Sequence, residues 1–198
     1  MRKSRENEAH VLLITGPPGS GKTTVIRKAA EGIRRTGLRG FYTEEIRLKG
    51  ERRGFRLVSF DGTARIIAHV DLPKRNRVGK YGVDIRAIDD AATVLRPDTN
   101  ACVYFVDEIG KMECLSERFI AAVRALISSG IPIIATVGAS GGDFIAEVKR
   151  LPDCELWQVT HAGRDKLPAR ILAWLDERTL AIRRTPPRRG RASPNHAE

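Results

Sequence analysis

The sequence predicts an α/β domain built on a mostly parallel sheet, with an antiparallel hairpin inserted at the sheet edge. Three observations carry this. A short continuous apolar run at residues 11–15 has the pattern of a strand buried on both faces, and further core strands are read at 101–106, 131–137 and 156–160. Helical patterns separate them, and strands alternating with helices of this length form right-handed βαβ units. Residues 40–70 break that rhythm with alternating, aromatic and β-branched residues.

In chain order, residues 1–9 are expected to be a flexible arm. The strand at 11–15 enters the glycine- and proline-rich turn 16–21, and 23–35 reads as a helix stopped by Gly37. Residues 40–47 and 55–60 pair as a hairpin through a turn at 49–54, and Asp61-Gly62 turns the chain into a further strand at 64–70. Residues 72–81 are polar and basic, a surface loop, and 85–95 is helical, ending before Pro97. The strand 101–106 finishes in Asp107-Glu108. An amphipathic helix at 116–129, the strand 131–137, a glycine-rich loop at 138–142 and a short helix at 144–150 follow. The last core strand, 156–160, leads to a helix at 167–177 that extends towards 182. Beyond it, RRTPPRRGRASPNHAE has no apolar periodicity and reads as a disordered basic tail, 183–198. The domain itself spans 10–182.

The chain has 198 residues, 41% hydrophobic and 30% charged, which suits one well-packed domain and argues against a disordered chain. A net charge of +11 points to an anionic partner (nucleotide, nucleic acid or an acidic surface) or to a solvated basic face. Part of it lies in the tail, in Arg183, Arg184, Arg188, Arg189 and Arg191. Cys102, Cys114 and Cys154 are scattered, and His10, His69, His161 and His196 show no ligand spacing, so neither a disulfide framework nor a zinc pattern is present. A reducing cytoplasm is the natural compartment. No apolar run has membrane length, and a monomer is expected.

The chemistry starts at Gly16-Pro17-Pro18-Gly19-Ser20-Gly21-Lys22-Thr23, which fits G-x-x-x-x-G-K-[ST] between an apolar strand and a helix. A triphosphate carries dense negative charge, so the loop must present backbone N–H groups, which the following helix N-terminus supplements. Pro17 and Pro18 have no N–H, so the cradle falls to the amides of Gly19, Ser20, Gly21, Lys22, Thr23 and Thr24. Lys22 is expected to reach the β- and γ-phosphates, and the Thr23 hydroxyl to bind Mg²⁺. Asp107 ends a buried strand at the edge where open α/β sheets bind ligands. It is the candidate Walker-B acid for Mg²⁺. Glu108 either orients a water against the γ-phosphate or is a surface acid at a helix start. The basic stretch 47–86 includes Arg47, Arg52, Arg53, Arg56, Lys74, Arg75, Arg77, Lys80 and Arg86. It supplies either a charge for the transferring phosphoryl group or a solvated basic face.

Four stretches resemble a nucleoside-triphosphatase family first described from thermophiles, whose animal members are called cancer-related nucleoside triphosphatases. They are TGPPGSGKTT at 15–24, GFYTEEIR at 40–47 with Arg53-Gly54-Phe55, VGKYGV at 78–83 and DEIGKME at 107–113. The resemblance implies a RecA-like P-loop domain, a three-layer sandwich, that hydrolyses several nucleoside triphosphates with Mg²⁺. It also implies that Lys111, as a catalytic group, and Glu113 lie near the site. Family members carry an Asn-Arg pair near the base after the last core strand. Here Arg164 is present to stack on a purine, but Gly163 stands in the asparagine position, so relaxed base selectivity is expected.

Three functions compete. A hydrolase sends water to the γ-phosphate under Glu108. A nucleotide or metabolite kinase would use the arginine-rich insertion as a water-excluding lid. A nucleic-acid-stimulated ATPase would anchor through basic segments, although aromatics are only 6% of the chain and no stacking motif is present.

Overall fold

A computed structural model describes residues 9–33 and 37–184. The described elements are β1 (Val11–Thr15), α1 (Lys22–Glu31), β2 (Leu38–Leu48), β3 (Glu51–Ser59), β4 (Ala64–His69), β5 (Arg77–Val78), β6 (Tyr81–Val83) and α2 (Ile85–Ala91). They continue with β7 (Val103–Ile109), α3 (Glu117–Ser128), β8 (Ile133–Val137), α4 (Asp143–Val148), β9 (Cys154–Gln158) and α5 (Leu167–Arg184).

All the strands join one sheet in the order β5-β6-β4-β3-β2-β7-β8-β1-β9. The run β2-β7-β8-β1-β9 is parallel, and β3, β4, β6 and β5 extend it antiparallel. β8 therefore separates β1, which feeds the glycine-rich loop, from β7, which carries the acids.

The pleat sorts side chains into two cores. Val11 and Leu13 face α2, α3 and α4, packing with Ile88, Phe119 and Val148. Leu12 and Ile14 face α1 and α5, packing with Ile26, Ile171 and Trp174. The result is the expected three-layer α/β sandwich. Each buried Leu or Ile contributes about 1.5–3 kcal/mol, so β1, all but inaccessible along its first four residues, is fixed in register. Side-chain oxygens cap two of the helices facing the first core: Asp84 accepts from Ala87 N–H at 3.1 Å, and Ser116 accepts from Phe119 N–H at 3.0 Å.

Several boundaries differ from the expectations. The first helix ends at Glu31, capped by Gly32, rather than at 35. A side chain at 32 would come within 2.6 Å of the end of Leu172, which would have to move aside, so glycine eases the close crossing of α5. The turn expected over 49–54 is only Lys49-Gly50, both at positive φ (49° and 82°). This is the two-residue geometry that matches strand twist. The strands run on because their charges pair: Arg52 with Glu45 at 2.7 Å and Lys80 with Glu51 at 3.0 Å. The surface loop expected at 72–81 contains β5, hairpinned onto β6. The helix expected over 85–95 is α-helical only to Ala91 and then tightens into a 3₁₀ turn, Ala92–Leu95. β7 continues through Asp107 and Glu108 to Ile109. The last helix runs to Arg184. The arm (1–8 of the expected 1–9) and the tail from 185 lie outside the described residues.

Candidate active site

The C-terminal ends of β1, β7 and β8 meet at one edge of the sheet. From β1 the chain enters the loop 16–21. Gly21, at φ +96°, is the N-cap of α1, a left-handed position that glycine adopts without penalty. The loop is closed internally: Ser20 N–H donates to Pro17 O at 3.2 Å and Val25 N–H to Gly21 O at 2.9 Å. Lys22 folds back so that Nζ donates to Gly16 O at 3.1 Å and Pro17 O at 3.5 Å. Its ammonium lies 3.9 Å from Glu108 Oε2. Thr24 and the prolines at 17 and 18 are exposed. Ser20 Oγ is buried with no protein partner, an acceptor-donor atom left for a ligand.

Asp107 is 1% exposed. Thr136, on β8, donates its hydroxyl to Asp107 Oδ1. Thr43, on β2, donates to the Asp107 carbonyl at 3.0 Å and lies 3.5 Å from Oδ2. Burial raises the Asp107 pKa, while hydrogen bonds from Thr136, Thr23 and the Thr43 backbone and the charge of Lys22 oppose that rise. The Thr23 hydroxyl thus acts on the Asp107 carboxylate, and the two supply hard oxygens suited to Mg²⁺ shared with phosphate and water. Among the described residues there is no cluster of three or more His, Cys, Asp or Glu that would cage a metal by itself.

Glu108 follows directly. Regular alternation would send it to the other face from Asp107. However, Val106 pairs with Ala135 and Ile109 with Val137, so β7 uses one more residue than β8 over this span. Such a bulge re-aims side chains, and both carboxylates serve the same edge. The peptide between them is cis. Burial raises the Glu108 pKa and Asp107 adds to the rise, whereas Lys22 and Lys149 oppose it. Glu113, buried, begins the 3₁₀ turn Glu113–Leu115. Burial pushes its carboxyl up to about 8, with Glu108 and Asp107 adding to the effect and its own and Gly110's backbone N–H opposing it. Gly110 is hemmed in by Glu113 Oε2 and Glu108, at 2.8 and 2.9 Å from where a side chain would start.

The remaining candidates are placed differently. Arg164, exposed, opens the 3₁₀ turn before α5 and lies over the loop, its Cδ 3.5 Å from where a side chain on Gly21 would begin. Gly163 N–H is 3.2 Å from Thr160 Oγ1. Lys111 is exposed on the turn after β7, and among the described residues no ion pair to it is formed. Sequence reasoning missed Thr43, Thr136 and Lys149. Thr136 had a signal, the lone polar residue in the apolar strand IIATV. Lys149 had none. The cavity of about 520 Å³ between α3 and α4 involves none of the phosphate loop 16–21; the site is an open sheet edge.

The chain matches a family model described as NTPase over residues 11–172. It is 37% identical over 166 residues to the nucleoside-triphosphatase THEP1 of Thermotoga maritima, covering 83% of this chain and 94% of that protein. It is 41% identical over 177 residues to the human cancer-related nucleoside-triphosphatase, covering 80% and 92%. The crystal structure of THEP1 from the hyperthermophile Aquifex aeolicus superposes with a TM-score of 0.76 at 32% identity, covering 83% of this chain and 98% of that one. The solution structure of the human protein gives 0.72 at 36%, covering 84% and 97%.

Proposed function

The chain belongs to the NTPase family, and from that premise we propose that it is a nucleoside-triphosphatase that uses Mg²⁺ and Glu108 to deliver water to the γ-phosphate. The observation that carries the mechanistic part is the approach of Lys22 Nζ to Glu108 Oε2, 3.9 Å, across the mouth of the loop. A cation for the phosphates and a carboxylate for the nucleophile stand side by side.

In this reading the amides of Gly19 to Thr24 bind the phosphate chain, and Lys22 leaves the Gly16 carbonyl for the β- and γ-oxygens. Thr23 and Asp107 would hold the metal, with Thr136 and Thr43 keeping the Asp107 carboxylate oriented. Magnesium, when bound, neutralises charge on the β- and γ-phosphates. Glu108 accepts a hydrogen bond from the attacking water and takes its proton as the water oxygen bonds to phosphorus. The bond from the γ-phosphorus to the β,γ-bridging oxygen breaks, and the nucleoside diphosphate departs with those electrons. Arg164 stacks on the base. Gly163 beside it offers no side chain to read the base edge, which supports broad selectivity.

The kinase reading finds less support. Most of the arginines expected to form a lid are engaged in ion pairs on a continuous sheet: Arg56 with Glu44, Arg47 and Arg52 with Glu45, Arg53 with Asp71. Among the described residues no helix is long and apolar enough to cross a membrane.

The test is phosphate release from ATP, GTP, CTP and UTP with Mg²⁺ and no acceptor. All four should turn over, and Lys22→Ala and Glu108→Gln should each lose about 10²–10⁴-fold in rate, with nucleotide still bound by Glu108→Gln. Wild-type protein that binds nucleotide but releases no phosphate would sink the hydrolase reading.

A further inference from the structure

Loop 138–142 leaves β8 beside Glu108 and returns as α4. Three of its five residues are glycine, so the backbone alone has little reason to hold one conformation. Lys149, at the C-cap of α4, reaches back over its own helix. Its Nζ donates to Gly138 O at 2.6 Å and Ala139 O at 3.0 Å. Gly138 N–H in turn donates to Ile109 O at 3.2 Å, tying the loop to the strand that carries the acids. Glu108 Oε1 lies 3.7 Å from where a Gly138 side chain would begin. The carboxylate therefore rests on a piece of backbone whose position an ammonium fixes, and the charge of that ammonium reaches Glu108 as well.

We infer that Lys149 is a positioning residue for hydrolysis: it pins loop 138–142 against Glu108 and so sets the carboxylate that aims the water. This rests on the role proposed above for Glu108. Lys149 reaches neither the phosphate loop 16–21 nor Thr23 and Asp107 in either of these hydrogen bonds. Its removal should therefore spare nucleotide binding and cost the chemical step. A lysine that served folding alone would lower stability without separating the two.

The experiment compares full-length wild type, Lys149→Met, Lys149→Arg, Glu108→Gln and the Lys149→Met/Glu108→Gln double variant. Single-turnover phosphate release, the Kd for a fluorescent ATP analogue and Tm are measured. Lys149→Met should lower the single-turnover rate about tenfold to a hundredfold, the scale of a misplaced catalytic group, with Kd within about twofold of wild type. Lys149→Arg should recover most of the rate, because a guanidinium presents forked donors to two carbonyls. On the Glu108→Gln background, Lys149→Met should cost less than about twofold more, since its effect passes through the missing carboxylate. A wild-type rate in Lys149→Met, a Kd that rises in step with the lost rate, or a full further loss in the double variant each overturns the inference while Glu108→Gln remains impaired. A wild-type rate in Glu108→Gln overturns this inference and the reading of Glu108 together.

Discussion

The two halves of the sheet use charge in opposite ways. In the parallel half, β7 and β8 lie under helices on both faces, and Asp107 and Glu113 are sealed in. In the antiparallel extension, β2 and β3 carry a lattice of ion pairs on half-exposed or exposed side chains. Burial pushes the Glu113 carboxyl up to about 8. On Glu45 burial pushes the same way, but hydrogen bonds from Arg52 and Arg47 outweigh it and hold the carboxyl below the usual range. A carboxylate sealed among helices and strands is therefore hard to ionise, whereas one in the extension is held charged by exposed partners. The +11 net charge of the chain says little about function for this reason; the informative charges are the few that are desolvated.

The comparison can be tested by its largest consequence first. Phe105, fully buried on β7 and edge-to-face with Phe60, should cost about 3–5 kcal/mol of unfolding free energy when replaced by alanine, measured by urea denaturation. A loss below 1 kcal/mol would mean that the parallel half does not dominate stability.

The second consequence concerns pH. Glu113 keeps its proton in the folded protein up to about pH 8, but loses it near 4.5 when unfolded. The folded state thus binds more protons between those values, and stability falls as pH rises through that window. Glu113→Gln should flatten this slope and make the variant more stable than wild type at the alkaline end, in urea titrations without nucleotide. An unchanged slope would show that Glu113 ionises freely. Glu45, with its lowered pKa, has the opposite sign: its contribution is present at neutral pH and fades on acidification.

The smallest effect belongs to the extension. Arg52→Ala removes a pair with Glu45 at 2.7 Å and a hydrogen bond to Tyr81 at 3.0 Å. It should cost about 1 kcal/mol or less, and still less in high salt. A salt-insensitive loss of several kcal/mol would erase the distinction between the halves.

Much of this was legible in the chain. Apolar runs such as VLLIT and the phosphate loop after it report local physics, so the mostly parallel α/β fold and the position of Lys22, Thr23 and Asp107 at one edge could be read directly. What stayed hidden depends on contacts between distant segments. Thr43 meets Asp107 from a strand 64 residues earlier. The bulge that brings Glu108 back to the site exists only relative to β8. Lys149 acquires a role only because a helix turns its end onto its own preceding loop. The turn at Lys49-Gly50 was misjudged for a related reason: charged residues suggested a loop, and cross-strand partners turned them into strand.

The place of β1 in the sheet also bears on how the protein is made. Val11 opens the first described strand of the domain, yet its strand partners are Ile133 and Cys154. On a ribosome, the phosphate loop emerges beside a strand whose neighbours, β8 and β9, are made only after β2 to β7. The β8-β1-β9 end of the sheet is thus closed last, by a long-range insertion of the kind that slows folding, and the nucleotide site cannot form on the nascent chain until β7 and β8 have been translated.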